Sequence, residues 1–197
     1  MKISTMLLIM ETLLIAGGVF KHASERAAGG TGRCVFFLFA LFVLDRFTFS
    51  PTDETSISAA CAAAAVWLGA NAFSGGEKPL NAVLMFPAAL LAGAASAPLA
   101  ASGSEAAAYA AGLISVPSAI ILGERVGIAA AALAPVTACA VCYLLKLPGS
   151  AGLSFELTEF CLSSQLAGLF AVFAAAPVKN AILRTFARGR SVVRTRI

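Results

Sequence analysis

The sequence predicts an all-α, polytopic membrane bundle, and three observations carry that prediction. Of its 197 residues 59% are hydrophobic and only 12% charged, the apolar residues lie in long unbroken runs, and the charges collect in the short joints between the runs. Such a composition leaves no stretch for a water-soluble domain and removes most classes of soluble enzyme. Lipid cannot satisfy exposed backbone groups, so runs that lack strand-like alternation are expected to cross as helices.

A crossing helix takes roughly 20 apolar residues. Windows of about that length fall on Ile3–Phe20, Cys34–Phe49, Ser56–Phe73, Leu80–Ala101, Ala106–Leu122, Val126–Leu145 and Leu157–Ala176. Glycines, prolines and charges separate them, as in Ser50-Pro51-Thr52-Asp53-Glu54 and Ser74-Gly75-Gly76-Glu77-Lys78-Pro79. Two regions follow: residues 1–176 as the helical bundle and 177–197 as a basic amphipathic tail.

The first run follows Met1-Lys2 as the apolar core of a secretory signal would. Glu11 at its centre argues against that reading, as does the lack of a small-x-small cleavage site before Gly17 and Gly18. An acid inside a membrane segment is a functional candidate by default. Ser4, Glu11 and Gly18 lie seven apart and share one helix face, which is expected to point inward. There Glu11 would bind a proton or cation during transport, or else simply lock helix contacts.

The second run, Val35 to Leu44, is bulky on every face and suits the lipid-facing rim or a partner subunit; Asp45 and Arg46 close it near the outer interface. Small side chains let membrane helices approach closely. The Ala-rich third and sixth runs, Ser58–Ala65 and Gly127–Ala132, are therefore expected at the centre. Pro87 and Pro98 interrupt the fourth run, Pro117 the fifth and Pro135 the sixth. Broken helices can frame a midplane transport site, and Glu11, Pro87, Pro117 and Pro135 are the transport candidates on that ground. Proline is also simply commoner in membrane helices than in soluble ones. The seventh run opens with Glu156 and Glu159, where a helix N-terminus favours acids, and contains no lysine, which removes a retinal protein.

Basic residues accumulate in short cytoplasmic loops. Seven crossings with the amino terminus outside place Lys21, Arg26, Arg33, Lys78, Arg125 and the tail on the cytoplasmic side and leave only Lys2, Arg46 and Lys146 outside. A six-crossing arrangement puts either the first loop or the tail on the wrong face. In the seven-crossing arrangement Cys61, Cys139, Cys142 and Cys161 share a depth toward the outer leaflet, while Cys34 lies near the inner face. That thiol cluster could support redox or metal chemistry, but no histidine accompanies it and cysteine is a common packing residue. No metal site and no cofactor is expected.

The tail carries Lys179, Arg184, Arg188, Arg190, Arg194 and Arg196 without an acid, interleaved with Ile182, Leu183 and Phe186. Each basic group near an anionic leaflet contributes about 1 kcal/mol, so the six are expected to bind lipid at the inner leaflet; nucleic acid is the weaker partner reading. There is no Walker motif, dinucleotide fingerprint or Gly-x-Ser-x-Gly element. The expectation is a small, non-enzymatic permease or membrane subunit of a transport system in a bacterial-type inner membrane, alone, as a homo-oligomer or with other membrane subunits. The alternative is a non-catalytic scaffold or regulatory subunit of a larger membrane complex.

Overall fold

A computed structural model of the chain describes residues 3–21, 25, 30–52, 55–74, 79–102, 104–145, 159–175 and 177–178. These are mostly helical: α1 (Ile3–Ala16), α2 (Thr31–Leu44), α3 (Ala59–Ser74), α4 (Pro79–Ser102), α5 (Glu105–Leu113), α6 (Val116–Ile121), α7 (Glu124–Leu145) and α8 (Glu159–Ala175). Each of the seven apolar runs supplies one helical segment, α5 and α6 being two pieces of the fifth.

The boundaries differ from the expected windows for local reasons. α1 stops at Ala16 because Gly18 takes a φ of 79°, open only at a cost to residues with a Cβ. The Val19 amide then donates to Leu14 O and the Gly18 amide to Ile15 O, at 3.0 Å each, which is a Schellman motif. α2 stops at Leu44, so Thr48 and Phe49 are not helical as expected. They belong to β1 (Thr48–Thr52), which pairs antiparallel with β2 (Thr55–Ser58) in the register Thr48 to Ser58 and Phe49 to Ile57. Thr48, Phe49, Thr55 and Ile57 favour extended backbone, a local signal overridden in the sequence reading by the longer apolar run. In the fifth run Pro117 sits at the first turn of α6, and the α-helical hydrogen bonding breaks at Ile114 and Ser115, whose amides donate three residues back to Ala111 O and Gly112 O at 3.2 Å each. Proline is tolerated there because its missing amide would be unpaired in any case. Ser104 caps α5, its hydroxyl accepting from the Ala107 amide at 3.2 Å.

Among the described residues two helices, Val83–Ser102 and Glu124–Leu145, are long and apolar enough to cross a membrane; the other apolar helices there have 10–17 residues. Length alone therefore does not establish seven crossings. A helix of 14 residues such as α1 or α2 reaches only about 21 Å.

The core lies along α7 and α8. α8 is enclosed from Phe160 to Leu169 without a break, and α7 is buried from Val126 to Ala132. The burial of α7 agrees with its Ala-rich sequence. α3 is enclosed at its start, Ala59, Ala60 and Cys61, and beyond it buries one face, Ala64, Leu68, Gly69 and Ala72, with Ala62 and Val66 exposed, so it is central over only part of its length. α2 behaves as a rim helix, with Phe36 74% and Phe39 60% exposed, while Phe37, Leu38 and Leu41 turn inward and Phe37 stacks on Trp67 at 3.7 Å between ring centres. The exposed large side chains of the described helices are mostly apolar, from Met6 and Leu13 on α1 to Leu144 and Leu145 on α7, with Arg33 on α2 an exception.

Helix direction follows from which residues meet. α7 and α8 are antiparallel, with Ala131 opposite Gly168, Ala132 opposite Gln165 and Cys139 opposite Cys161. α4 and α7 are parallel: Thr137 donates to Ala89 O and Cys142 to Ala97 O. Gly69 of α3 lies against Leu133 while Cys61 joins the Cys139 and Cys161 thiols, so α3 is antiparallel to α7. Segments four and six thus share one direction and segments three and seven the other, as chain traverses that alternate require.

Candidate functional site

On α1 the apolar spacing places Ser4, Leu7, Leu8, Glu11 and Ile15 on one buried stripe. Glu11 is 2% exposed, and neither of its carboxyl oxygens has a hydrogen-bond partner; the hydroxyl of Ser4, two turns earlier, also lacks one. Cys34 of α2 lies within electrostatic range of the carboxyl. An unpaired buried acid costs at least about 1–3 kcal/mol, so packing alone gives no reason to place one here. Other inward hydroxyls are served locally: Thr12 donates to Leu8 O at 2.6 Å, Ser115 to Gly112 O at 2.7 Å and Ser96 to Gly93 O at 3.0 Å. Those bonds lie within one helix or its adjoining turn and need no site to explain them.

A second polar locus lies in α8, at residues the sequence reading did not single out. Gln165 is fully buried and its amide nitrogen donates to Ala132 O at 2.8 Å and to Cys61 O at 3.4 Å, joining α8 to α7 and α3. Its amide oxygen and the adjacent Ser164 hydroxyl have no partner. The available signal was the triplet Ser163-Ser164-Gln165 inside an otherwise apolar run. It was passed over because none of the three is charged.

Three thiols converge one turn away. Cys61 and Cys161 are each the third residue of their helix, Cys139 approaches from the last third of α7, and all three are buried. The sulfurs of Cys61 and Cys161 are 2.9 Å apart, and the Cys139 thiol hydrogen-bonds that of Cys161. Cys142 is turned to Ala97 O at 3.2 Å, and Cys34 packs near Glu11. Among the described residues no group of three His, Cys, Asp or Glu side chains is placed to hold a metal ion.

The prolines do not gather around Glu11. Pro87, Pro98 and Pro117 lie on exposed faces, and only Pro135 is buried. Two surface grooves flank α2. One of about 210 Å³ is lined by Leu8, Ile9, Thr12, Leu13, Leu38, Phe39 and Phe42. The other, of about 470 Å³, is lined by Gly32, Arg33, Phe36, Phe37, Ala40, Trp67 and Asn71. Neither is lined by Glu11 or by a helix-interrupting proline. The lipid-binding candidates Lys179, Arg184, Arg188, Arg190, Arg194 and Arg196 lie outside the described residues. No family model, curated protein or solved structure matches the chain.

Proposed function

We propose that this chain is an integral membrane protein whose seven helical segments traverse the bilayer with the amino terminus outside, and that it acts as a small permease or the membrane subunit of a transport system. The observation that carries the proposal is Glu11: a carboxyl enclosed in an apolar bundle, with neither oxygen engaged. Such a group is a default candidate for a proton or cation relay. The mostly apolar exterior and the alternating helix directions support the membrane setting. The short segments continue past their helical ends, α1 through its terminal turn to Phe20 and α2 into the β-hairpin, which adds reach toward the interfaces.

Reporter fusions test the topology. Fusions after Arg33, Lys78 and Arg125 are expected to read cytoplasmic, and fusions after Asp53 and Glu105 external. A cytoplasmic reading at Glu105 would break the seven-crossing arrangement.

Transport is tested with purified protein in vesicles under an imposed proton or sodium gradient. Wild-type chain is expected to dissipate the gradient, and Glu11→Gln to abolish that flux at equal protein content. Full flux in the Gln variant would discard the coupling role of Glu11. The scaffold reading draws on one observation, that Glu11 lines neither groove beside α2. A tight, gradient-insensitive wild-type bundle would favour it.

A further inference from the structure

We infer that Cys61 and Cys161 form a structural disulfide that ties the first turn of α3 to the first turn of α8, with Cys139 packed beside it as a third thiol. Their sulfurs are 2.9 Å apart, about 0.9 Å beyond the ~2.05 Å length of a disulfide bond. Nothing separates the two atoms, and the residues are 100 positions apart in the chain. Both cysteines are the third residue of their helices, and α3 and α8 run in the same direction. The two helix starts therefore lie at one end of the bundle, beside the β-hairpin. On the membrane reading above, on which the compartment rests, that end is the outer one, where thiols can be oxidised. Cys142, by contrast, is committed to Ala97 O and Cys34 sits on α2, so neither competes for the pair.

Buried thiols react slowly, so the bond is assigned to assembly, while the helix starts are still accessible. Its chemistry is thiol–disulfide exchange with the disulfide of an exported oxidoreductase. One chain thiolate attacks a sulfur of that disulfide, giving a mixed disulfide and releasing one carrier thiol. The second chain thiolate then attacks the chain-side sulfur, forming the Cys61–Cys161 bond and releasing the second carrier thiol. Two chain thiols are oxidised, one carrier disulfide is reduced to two thiols, and the two protons pass to the carrier.

The test uses the full chain expressed in cells with an oxidising outer compartment, denatured in excess alkylating reagent and weighed intact. Three thiols are expected to take label before reduction and all five after it, with peptide mapping placing the link between residues 61 and 161. A chain carrying C34S, C139S and C142S should retain the bridge, and C161S should lose it. A second arm refolds the purified, denatured three-serine variant into micelles in the presence of a small aromatic disulfide, which supplies the oxidant during assembly whatever the topology. Closure there and not in cells would overturn the outer placement while leaving the pairing intact. Two labelled thiols in that variant under both conditions would overturn the pairing itself.

Discussion

Gly112→Leu is expected to prevent α5 from closing on α8. A Cβ at position 112 would meet Gly168 N at 2.7 Å, Ser164 O at 2.8 Å and the Ala167 methyl at 2.9 Å. The first two are backbone atoms of a buried helix, so no side-chain rotation relieves the contact and the helices must separate. Overpacking ordinarily costs about 1–3 kcal/mol; with backbone as the obstacle and three further carbons to place, a loss above about 3 kcal/mol is expected. The displacement would carry beyond one pair, because Gly168 is itself closely packed on α7: a Cβ there would meet the Ala131 methyl at 3.0 Å. Equilibrium unfolding of the purified protein in mixed micelles reads the effect. Gly69→Ala is the control. There the nearest atom is a Leu133 methyl at 3.9 Å, and the better helix former should leave stability unchanged or raise it by up to about 1 kcal/mol. Wild-type behaviour in Gly112→Leu would mean that α5 does not rest on the α8 backbone.

This close approach shows what the sequence could and could not reveal. The seven apolar runs are legible as helical segments because their length and lack of alternation admit no other lipid-compatible element. The inward face of α1 is legible as well: spacing alone puts Ser4 and Glu11 on one stripe, and both are buried. Gly18, the third member of the expected face, instead ends the helix, because two consecutive glycines favour a left-handed stop over another turn. Burial rank among helices was less legible. Small residues suggested α3 and α7 as the centre, yet α8 with Phe160, Leu162, Leu166 and Phe173 is the most enclosed. Large side chains can fill a centre when their neighbours present alanine and glycine, as α5 and α7 do to α8. Which helix faces which is a property of pairs of segments, and no single segment encodes it. The meeting of Cys61, Cys139 and Cys161 is intermediate: depth in an alternating bundle brings them level, while lateral neighbourhood comes only from the fold.

Glu11→Leu is expected to stabilise the bundle while ending any coupled flux. Leucine has a comparable length and no polar atoms, and its neighbours on the stripe are Leu7, Leu8 and Ile15. The replacement would remove two carboxyl oxygens that make no hydrogen bond and would return nothing to solvent. Replacing buried polar or ionic groups by apolar side chains of similar volume is often neutral or stabilising, by about 1–4 kcal/mol; here about 2 kcal/mol is expected. The sign separates two roles for the carboxyl. A group retained to lock α1 onto its neighbours must bond to something, and its removal would destabilise the fold. One retained for exchange of a proton or cation is tolerated at a cost to stability, and its removal makes the fold firmer and inert. Unfolding in mixed micelles and gradient flux in vesicles, measured on the same preparation, decide between them. A less stable Glu11→Leu chain would place Glu11 among the structural contacts and remove the principal support for transport. A firmer chain that still carries flux would leave transport standing and move its coupling group elsewhere, with Gln165 and Ser164, two further buried residues with unpartnered oxygens, as the next positions to replace.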